Sequence, residues 1–353
     1  MAIPAWRRPE QRADVSHARN LRARSGQALA MAWLAICAAS TAAVAAPLEE
    51  FEPVTVPMRV VRVAAHSYYV QGQAGVVSSA NEGFNSNAGF VVTTDGIVVF
   101  DALGTPALGH RLAELIAQTT SQPVRRVIAS HYHADHIYGL QAFKRPGVEV
   151  WANERVRDYL ATDAPAARLK ERRESLFPWV NEKTHIVVPD RYLGEDTVFK
   201  MGGLTFHVMH AGPAHTAEDL MMMVEEDGVL FVGDLMFAGR IPFVADADVS
   251  SWIQAIDRVL AFKPRIVVGG HGPESTNAVA DLAMTRDYLV YLREQMAAAF
   301  EDGLDFDSAY RRVDWSRFAA LPAFDAANRR NAYQTYLNVE REALSAAKVP
   351  KPR

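Results

Sequence analysis

The chain is 353 residues long, carries a formal net charge of −4, and is 49% hydrophobic and 22% charged. That balance fits one large or two modest globular domains and excludes a disordered or fibrous chain. The acidic excess argues against nucleic acid as a partner, and a single cysteine, Cys37, cannot close an internal disulfide.

At the N-terminus, Arg19, Arg22 and Arg24 precede an uncharged, Ala-rich run from Ala28 to Ala46. It ends in Ala43-Val44-Ala45, with small residues at the two positions a signal peptidase reads. Residues 1–45 are therefore expected to be a secretory leader, and the protein periplasmic or secreted, with no stable membrane span after cleavage. A retained membrane anchor is the alternative, because the apolar run is nearly long enough to span a bilayer. Leu34-Ala35-Ile36-Cys37 has the outline of a lipoprotein box, but Ile36 is too bulky for one. Without the leader the chain has no cysteine, so it can form neither a disulfide nor a thiolate metal ligand.

Residues 46–57 are acidic and Pro-interrupted and read as a linker; the main domain is expected over 58–300. Met58 to Ala64 and Ser67 to Val70 are expected as opening strands. Phe90 to Thr93 and Ile97 to Phe100 predict a hairpin turned by Asp95-Gly96. Leu108, Leu112, Leu115 and Ile116 have helical spacing, and Val127-Ile128-Ala129 reads as a buried strand. Val148 to Val150 predicts a short strand, 153–173 mostly helix, and 174–192 an irregular flank. Hairpins follow at Thr197 to Met209, turned by Gly202-Gly203, and at Leu220 to Val232, turned by Asp227-Gly228. Arg265 to Val268 predicts a strand; Ser251 to Phe262 and Val279 to Phe300 predict helices. Residues 301–353 read as a helical, aromatic-rich extension. Strand hairpins interleaved with helices predict an α/β chain of two stacked sheets covered by helices.

The chemistry is concentrated after the buried strand, where His131, His133, Asp135 and His136 place four potential metal ligands within six residues. Zinc takes imidazole nitrogens and carboxylate oxygens, and a pair of ions needs ligands crowded onto one turn. Gly212-Pro213-Ala214-His215-Thr216, Gly233-Asp234 and Gly269-Gly270-His271-Gly272 each follow a predicted strand, where a rigid sheet can hold ligands accessible to substrate.

In this order the motifs resemble those of the metallo-β-lactamase-fold hydrolase superfamily, over roughly residues 58 to 300. The resemblance implies a four-layer αββα sandwich with metals at one edge, here with a C-terminal helical extension. It also implies that His131, His133 and His215 hold one Zn2+, that Asp135, His136 and His271 hold a second, and that Asp234 bridges both. Iron or manganese are alternative ions. Two cations lower the pKa of a bridging water toward neutrality, so that hydroxide can attack an ester or thioester, with Asp135 and Asp234 as the expected catalytic carboxylates.

Asp at 234 is similar to glyoxalase II, whereas the zinc β-lactamases place Cys or a non-ligand such as Ser near that position. The leader, the Gly-Pro-Ala-His-Thr motif and the helical tail look most like periplasmic zinc metallohydrolases associated with quinoprotein oxidation systems. A β-lactamase and, in another class, an iron-containing redox or metal-handling protein are the alternatives. A small-molecule substrate is expected, and oligomeric state is not readable.

Several further residues carry open readings. Asp101 can orient a ligand imidazole or cap the helix after Gly104. Asn85, Ser86 and Asn87 read as a plain polar turn in preference to the site mouth. Tyr138 can donate to substrate or pack in the core. His207 and His210 are expected to be structural, and His66, His110 and His185 show no partner.

Overall fold

The computed structural model describes residues 51–244 and 247–348, and the expected leader lies outside the described residues. A first sheet takes its strands side by side in chain order: β1 (Val60–Arg62), β2 (Ser67–Val70), β3 (Ala88–Thr93), β4 (Gly96–Phe100), β5 (Val124–Ile128), β6 (Glu149–Asn153) and β7 (Arg191–Leu193). Strands β1 to β4 form an antiparallel meander, and β4 to β7 run parallel. Parallel neighbours need crossovers. These are α1 (Pro106–Thr119), the short α2 (Ala134–Ile137) and α3 (Leu140–Phe143), then α4 (Val156–Leu160) and α5 (Ala164–Ser175).

The second sheet has the order β12-β11-β10-β9-β8, from β8 (Thr197–Met201), β9 (Leu204–His210), β10 (Leu220–Val224), β11 (Val229–Phe237) and β12 (Ile266–His271). It is antiparallel except for β11 and β12, which α6 (Val249–Ala261) connects. Helices α7 (Ala278–Glu301), α8 (Phe306–Arg312) and α9 (Phe324–Lys348) complete the described chain. Among the described residues, no helix is long and apolar enough to cross a membrane.

The period-two alternation of side chains explains the layers. Phe90, Ile97, Val99 and Val127 point to one face of the first sheet and pack with Leu108, Leu112 and Ile116 of α1. Their neighbours Val91, Val98, Phe100 and Ile128 point the other way, against Phe206, Val208, Met222 and Phe231 of the second sheet. Leu230, Val232 and Val267 then face outward onto Trp252, Ile256, Leu289 and Leu292 of α6 and α7. Each central strand is buried on both faces, which is why β4 reads as an unbroken apolar run. The result is the expected αββα sandwich, with α8 and α9 of the extension packed on the second sheet's helical layer.

The predicted elements form, with three shifts. Thr93 pairs with Gly96, so the first hairpin turns at Thr94-Asp95, one residue early. A side chain at Gly96 would meet Pro123 and Arg125 of the adjoining strand. Strand β11 continues five residues past Val232, through Gly233-Asp234 to Phe237, with register shifts on either side of Gly233. Strand β12 likewise extends through His271. Both extensions carry candidate ligands inside strands instead of in the loops after them.

Candidate metal centre

Strands β4, β5, β11 and β12 end at one edge of the sandwich, and the seven predicted ligands meet there. His131, His133, His215 and Asp234 form one group of donor atoms, and Asp135, His136 and His271 a second. The turn from β5 into α2 accounts for the split. His131 and His133 precede the helix, whereas Asp135 and His136 lie in its first turn. A bulge in the ladder bends β11 and aims Asp234 between the two groups.

Asp234 is turned so that its two oxygens serve different groups. Oδ2 lies 3.3 Å from His215 Nε2 and 3.9 Å from His131 Nε2. Oδ1 lies 3.2 Å from His136 Nε2 and 3.4 Å from His271 Nε2. Asp135 Oδ2 is 3.6 Å from His271 Nε2 and 3.9 Å from His136 Nε2. Two donors bound tetrahedrally at about 2.1 Å from one zinc ion lie about 3.4 Å apart, so these separations suit donors around shared cations. His131 Nε2, His136 Nε2 and Asp234 Oδ1 are buried with no hydrogen-bond partner. Buried polar atoms normally have partners, and three orphans converging on one space fit a metal site.

The surroundings fix which imidazole nitrogen is free. Asp101 accepts from the Ser130 amide (2.7 Å) through Oδ1, and from Ser130 Oγ (2.8 Å) and His136 Nδ1 (2.9 Å) through Oδ2. Ser130 Oγ in turn accepts from His131 Nδ1 at 2.9 Å. With Nδ1 protonated on both rings, Nε2 presents a lone pair to the site. His271 Nδ1 donates to the Asn85 carbonyl at 2.6 Å, with the same effect. Asp101 orients ligand rings, and α1 is capped instead by Thr105, whose Oγ1 accepts from the Leu108 amide.

Charge follows the same layout. Burial holds His131 well below the ordinary imidazole range, lowers His133, and pushes His215 down to about 3. Burial would also disfavour a charged His136, but Asp234, Asp101 and Asp135 outweigh it and raise that ring well above the usual value. For Asp234, burial is overcome by His271 and His136, which hold the carboxyl well below its ordinary range; for Asp135, the same two rings overcome burial and bring it to about 2. Two ionised carboxylates in a buried site make a field that favours positive charge there, as a metal cation would supply.

Several residues outside the motifs also shape the site. The reading of Asn85, Ser86 and Asn87 as a plain turn is corrected. Asn85 Nδ2 donates to Asp135 Oδ2 at 3.1 Å, and Ser86 Oγ donates to the Asp135 carbonyl. Asn87 Nδ2 donates to the carbonyls of Gly269 and Gly272 beside His271. Asp219 accepts from the Thr216 amide and hydroxyl, shaping the turn that carries His215. Arg240, only 1% exposed, lies with Nη1 3.4 Å from His271 Nδ1. Burial lowers its pKa, and Asp234 and Asp135 partly offset that. Tyr138 packs in the first sheet's outer core. His207, His210, His66, His110 and His185 all lie away from the cluster, His66 paired with Asp227.

One glycine tests how tightly the bridge is held. A Cβ at Gly270 would lie 2.0 Å from Asp234 Oδ1 and 2.9 Å from the Gly233 carbonyl carbon. Gly270→Ala should therefore displace Asp234, costing about 1–3 kcal/mol of stability by overpacking and about 10- to 100-fold in metal affinity. Zinc titration checks this, and wild-type affinity in the variant would show that Asp234 is not held where described.

The chain is also similar to known proteins. Residues 81–271 match the model of the metallo-beta-lactamase superfamily. A metallo-beta-lactamase type 2 of Elizabethkingia meningoseptica is 27% identical over 193 residues, covering 53% of this chain and 69% of that protein. A linear primary-alkylsulfatase of a Pseudomonas species is 20% identical over 254 residues, covering 62% of this chain and 48% of the alkylsulfatase. Among solved structures, a metallo-beta-lactamase from Pontibacter korlensis superposes with a TM-score of 0.51 at 24% identity, over 66% of this chain and 99% of that one. A stereoselective inverting sec-alkylsulfatase from a Pseudomonas species superposes with a TM-score of 0.64 at 18% identity, over 84% of this chain and 52% of that one. With the family match running over more than half its length, the chain belongs to the metallo-beta-lactamase superfamily, a family of metal-dependent hydrolases.

Proposed function

We propose that this chain is an exported hydrolase of the glyoxalase-II-like branch that holds two zinc ions and cleaves an ester or thioester. The observation that carries the reading is the orientation of Asp234, with one oxygen toward His131 and His215 and the other toward His136 and His271. In this reading His131, His133 and His215 hold one ion, Asp135, His136 and His271 the other, and Asp234 is shared. When bound, the pair supplies hydroxide as nucleophile at neutral pH and polarises the scissile carbonyl. The protein's own part is to present lone pairs through the Asp101, Ser130 and Asn85 contacts, and to place two carboxylates beside the reacting centre. Within the branch, the leader and helical tail favour an affinity with quinoprotein-associated periplasmic metallohydrolases.

Hydrolysis of β-lactams is a second reading, favoured by the match to a type 2 metallo-beta-lactamase and opposed by Asp at 234. An iron-based redox role is the alternative of another class. Turnover of the zinc-loaded protein on a panel of thioesters, lactones, β-lactams and alkyl sulfates tests the proposal, with oxygen uptake and iron content measured alongside. Cleavage of thioesters or lactones is expected. Oxygen uptake by an iron-loaded protein without hydrolysis would overturn it.

Export is proposed from the Ala43-Val44-Ala45 site. N-terminal sequencing of the exported protein should begin at Ala46, and an intact leader would mean a membrane anchor.

A further inference from the structure

The donor cluster opens into a cavity of about 250 Å³. Arg168 and Arg172 of α5, with Glu171 between them, line one part of its wall, and Arg330 of α9 another. Glu171 is the only carboxylate among these four charged groups and is shared. Arg168 donates to it at 2.9 Å, and Arg172 lies 3.6 Å from its other oxygen. Arg330 has no hydrogen bond or ion pair among the described residues. The cavity's other two carboxylates, Asp135 and Asp234, belong to the donor cluster, so away from that cluster three guanidiniums face one carboxylate. Val76, Val77 and Phe243 add an apolar wall, and Val76 stays 42% exposed.

Arg330 is placed there by a rigid support. Its neighbour Asn331, 1% exposed, accepts from the Val244 amide at 2.9 Å. Through Nδ2 it donates to the Pro242 carbonyl at 2.7 Å and to the Tyr288 hydroxyl at 3.0 Å. These bonds pin α9 to the loop after β11 and to α7. The family match ends at residue 271, so this arginine comes from outside the matched span.

We propose that Arg168, Arg172 and Arg330 form an anion-binding arc over the metal centre, and that the substrate is an organic anion. Its charged group, a carboxylate or sulfonate-like head, lies in the arc, and its apolar part lies against Val76, Val77 and Phe243. Guanidinium forks suit such planar or tetrahedral oxyanions, and an unpaired arginine at a cavity wall keeps its donors free for one. The word substrate rests on the hydrolase reading; anion binding does not.

The test uses matched esters on the zinc-loaded protein: phenyl acetate, 4-acetoxybenzoate, 4-acetoxybenzenesulfonate and a 4-trimethylammonium analogue. Wild type should prefer the anionic esters over the neutral one by about tenfold in kcat/KM, through KM. Arg330→Ala should shrink that preference by about three- to tenfold, and Arg330→Glu should reverse the ranking so that the cationic ester leads. Arg330 is exposed, so both variants should fold, which circular dichroism checks. Calorimetric binding of benzenesulfonate, which is not hydrolysed, should weaken from wild type to Ala to Glu and with added salt. The two anionic esters tell a carboxylate preference from a sulfonate one. No ester turnover, with benzenesulfonate binding in that order, keeps the anion site and removes the hydrolase reading. Turnover with no charge ranking, or with a ranking unchanged in Arg330→Glu, overturns the anion site and leaves the hydrolase reading standing.

Discussion

Asp234→Ala should abolish the binding of one of two metal ions and reduce hydrolysis on the order of a thousandfold, about 4 kcal/mol of transition-state stabilisation. Its oxygens lie within 3.2 to 3.9 Å of four different imidazoles. Two divalent cations about 3.5 to 4 Å apart repel strongly, and a shared anion is what makes that spacing tolerable. The alanine variant also leaves Arg240 buried beside the site without one of the two carboxylates that offset its charge. Asp234→Cys is the informative partner, since a thiolate is a competent zinc ligand and should keep metal where alanine does not. Metal content and kcat/KM of both variants decide the matter. Full turnover in Asp234→Ala would mean that the bridge is another group.

The second large effect is expected at Asp101, which touches no metal. Asp101→Asn keeps the size of the side chain, and asparagine tolerates the left-handed backbone at this position, where φ is 63°. What changes is the pattern of donors. With its carbonyl oxygen kept on the Ser130 amide, the new NH₂ faces Ser130 Oγ and His136 Nδ1, where the carboxylate had accepted from both. His136 must then accept at Nδ1 and carry its proton on Nε2, pointing into the site. Ser130 Oγ, now receiving from the introduced amide, turns its own proton to His131 Nδ1 and flips that ring too. Metal affinity should fall about 10- to 100-fold, and activity at limiting zinc with it. Excess zinc should recover much of the activity, because the fold persists. A loss that zinc cannot rescue, together with a fall in melting temperature, would mean that Asp101 is merely structural.

The ligand motifs were legible because four members lie within six residues and the others directly follow predicted strands. The layers were legible because strand hairpins and helical segments follow one another along the chain, each with its own local period. What the sequence hid is set by contacts between distant segments. Asn85 reaches His271 across 186 positions, and Asn87 reaches Gly269 across 182. Nothing near either asparagine distinguishes it from an ordinary turn residue. Ser130 carries no signal in the sequence, because its role comes from lying between Asp101 and His131. Arg330 had no signal at all, since only the packing of α9 through Asn331 brings it to the cavity. The extension of β11 to Phe237 depends on pairing with β12, which no local turn residue announces.

The shared carboxylate is the centre of this account, and metal counting tests it most directly. The protein should be loaded with zinc, freed of loosely held ions, and measured by elemental analysis and by anomalous scattering from crystals. Two zinc ions per chain, about 3.5 to 4 Å apart with Asp234 between them, are expected. A single ion per chain under zinc-replete conditions, or two ions with Asp234 touching only one, would contradict it.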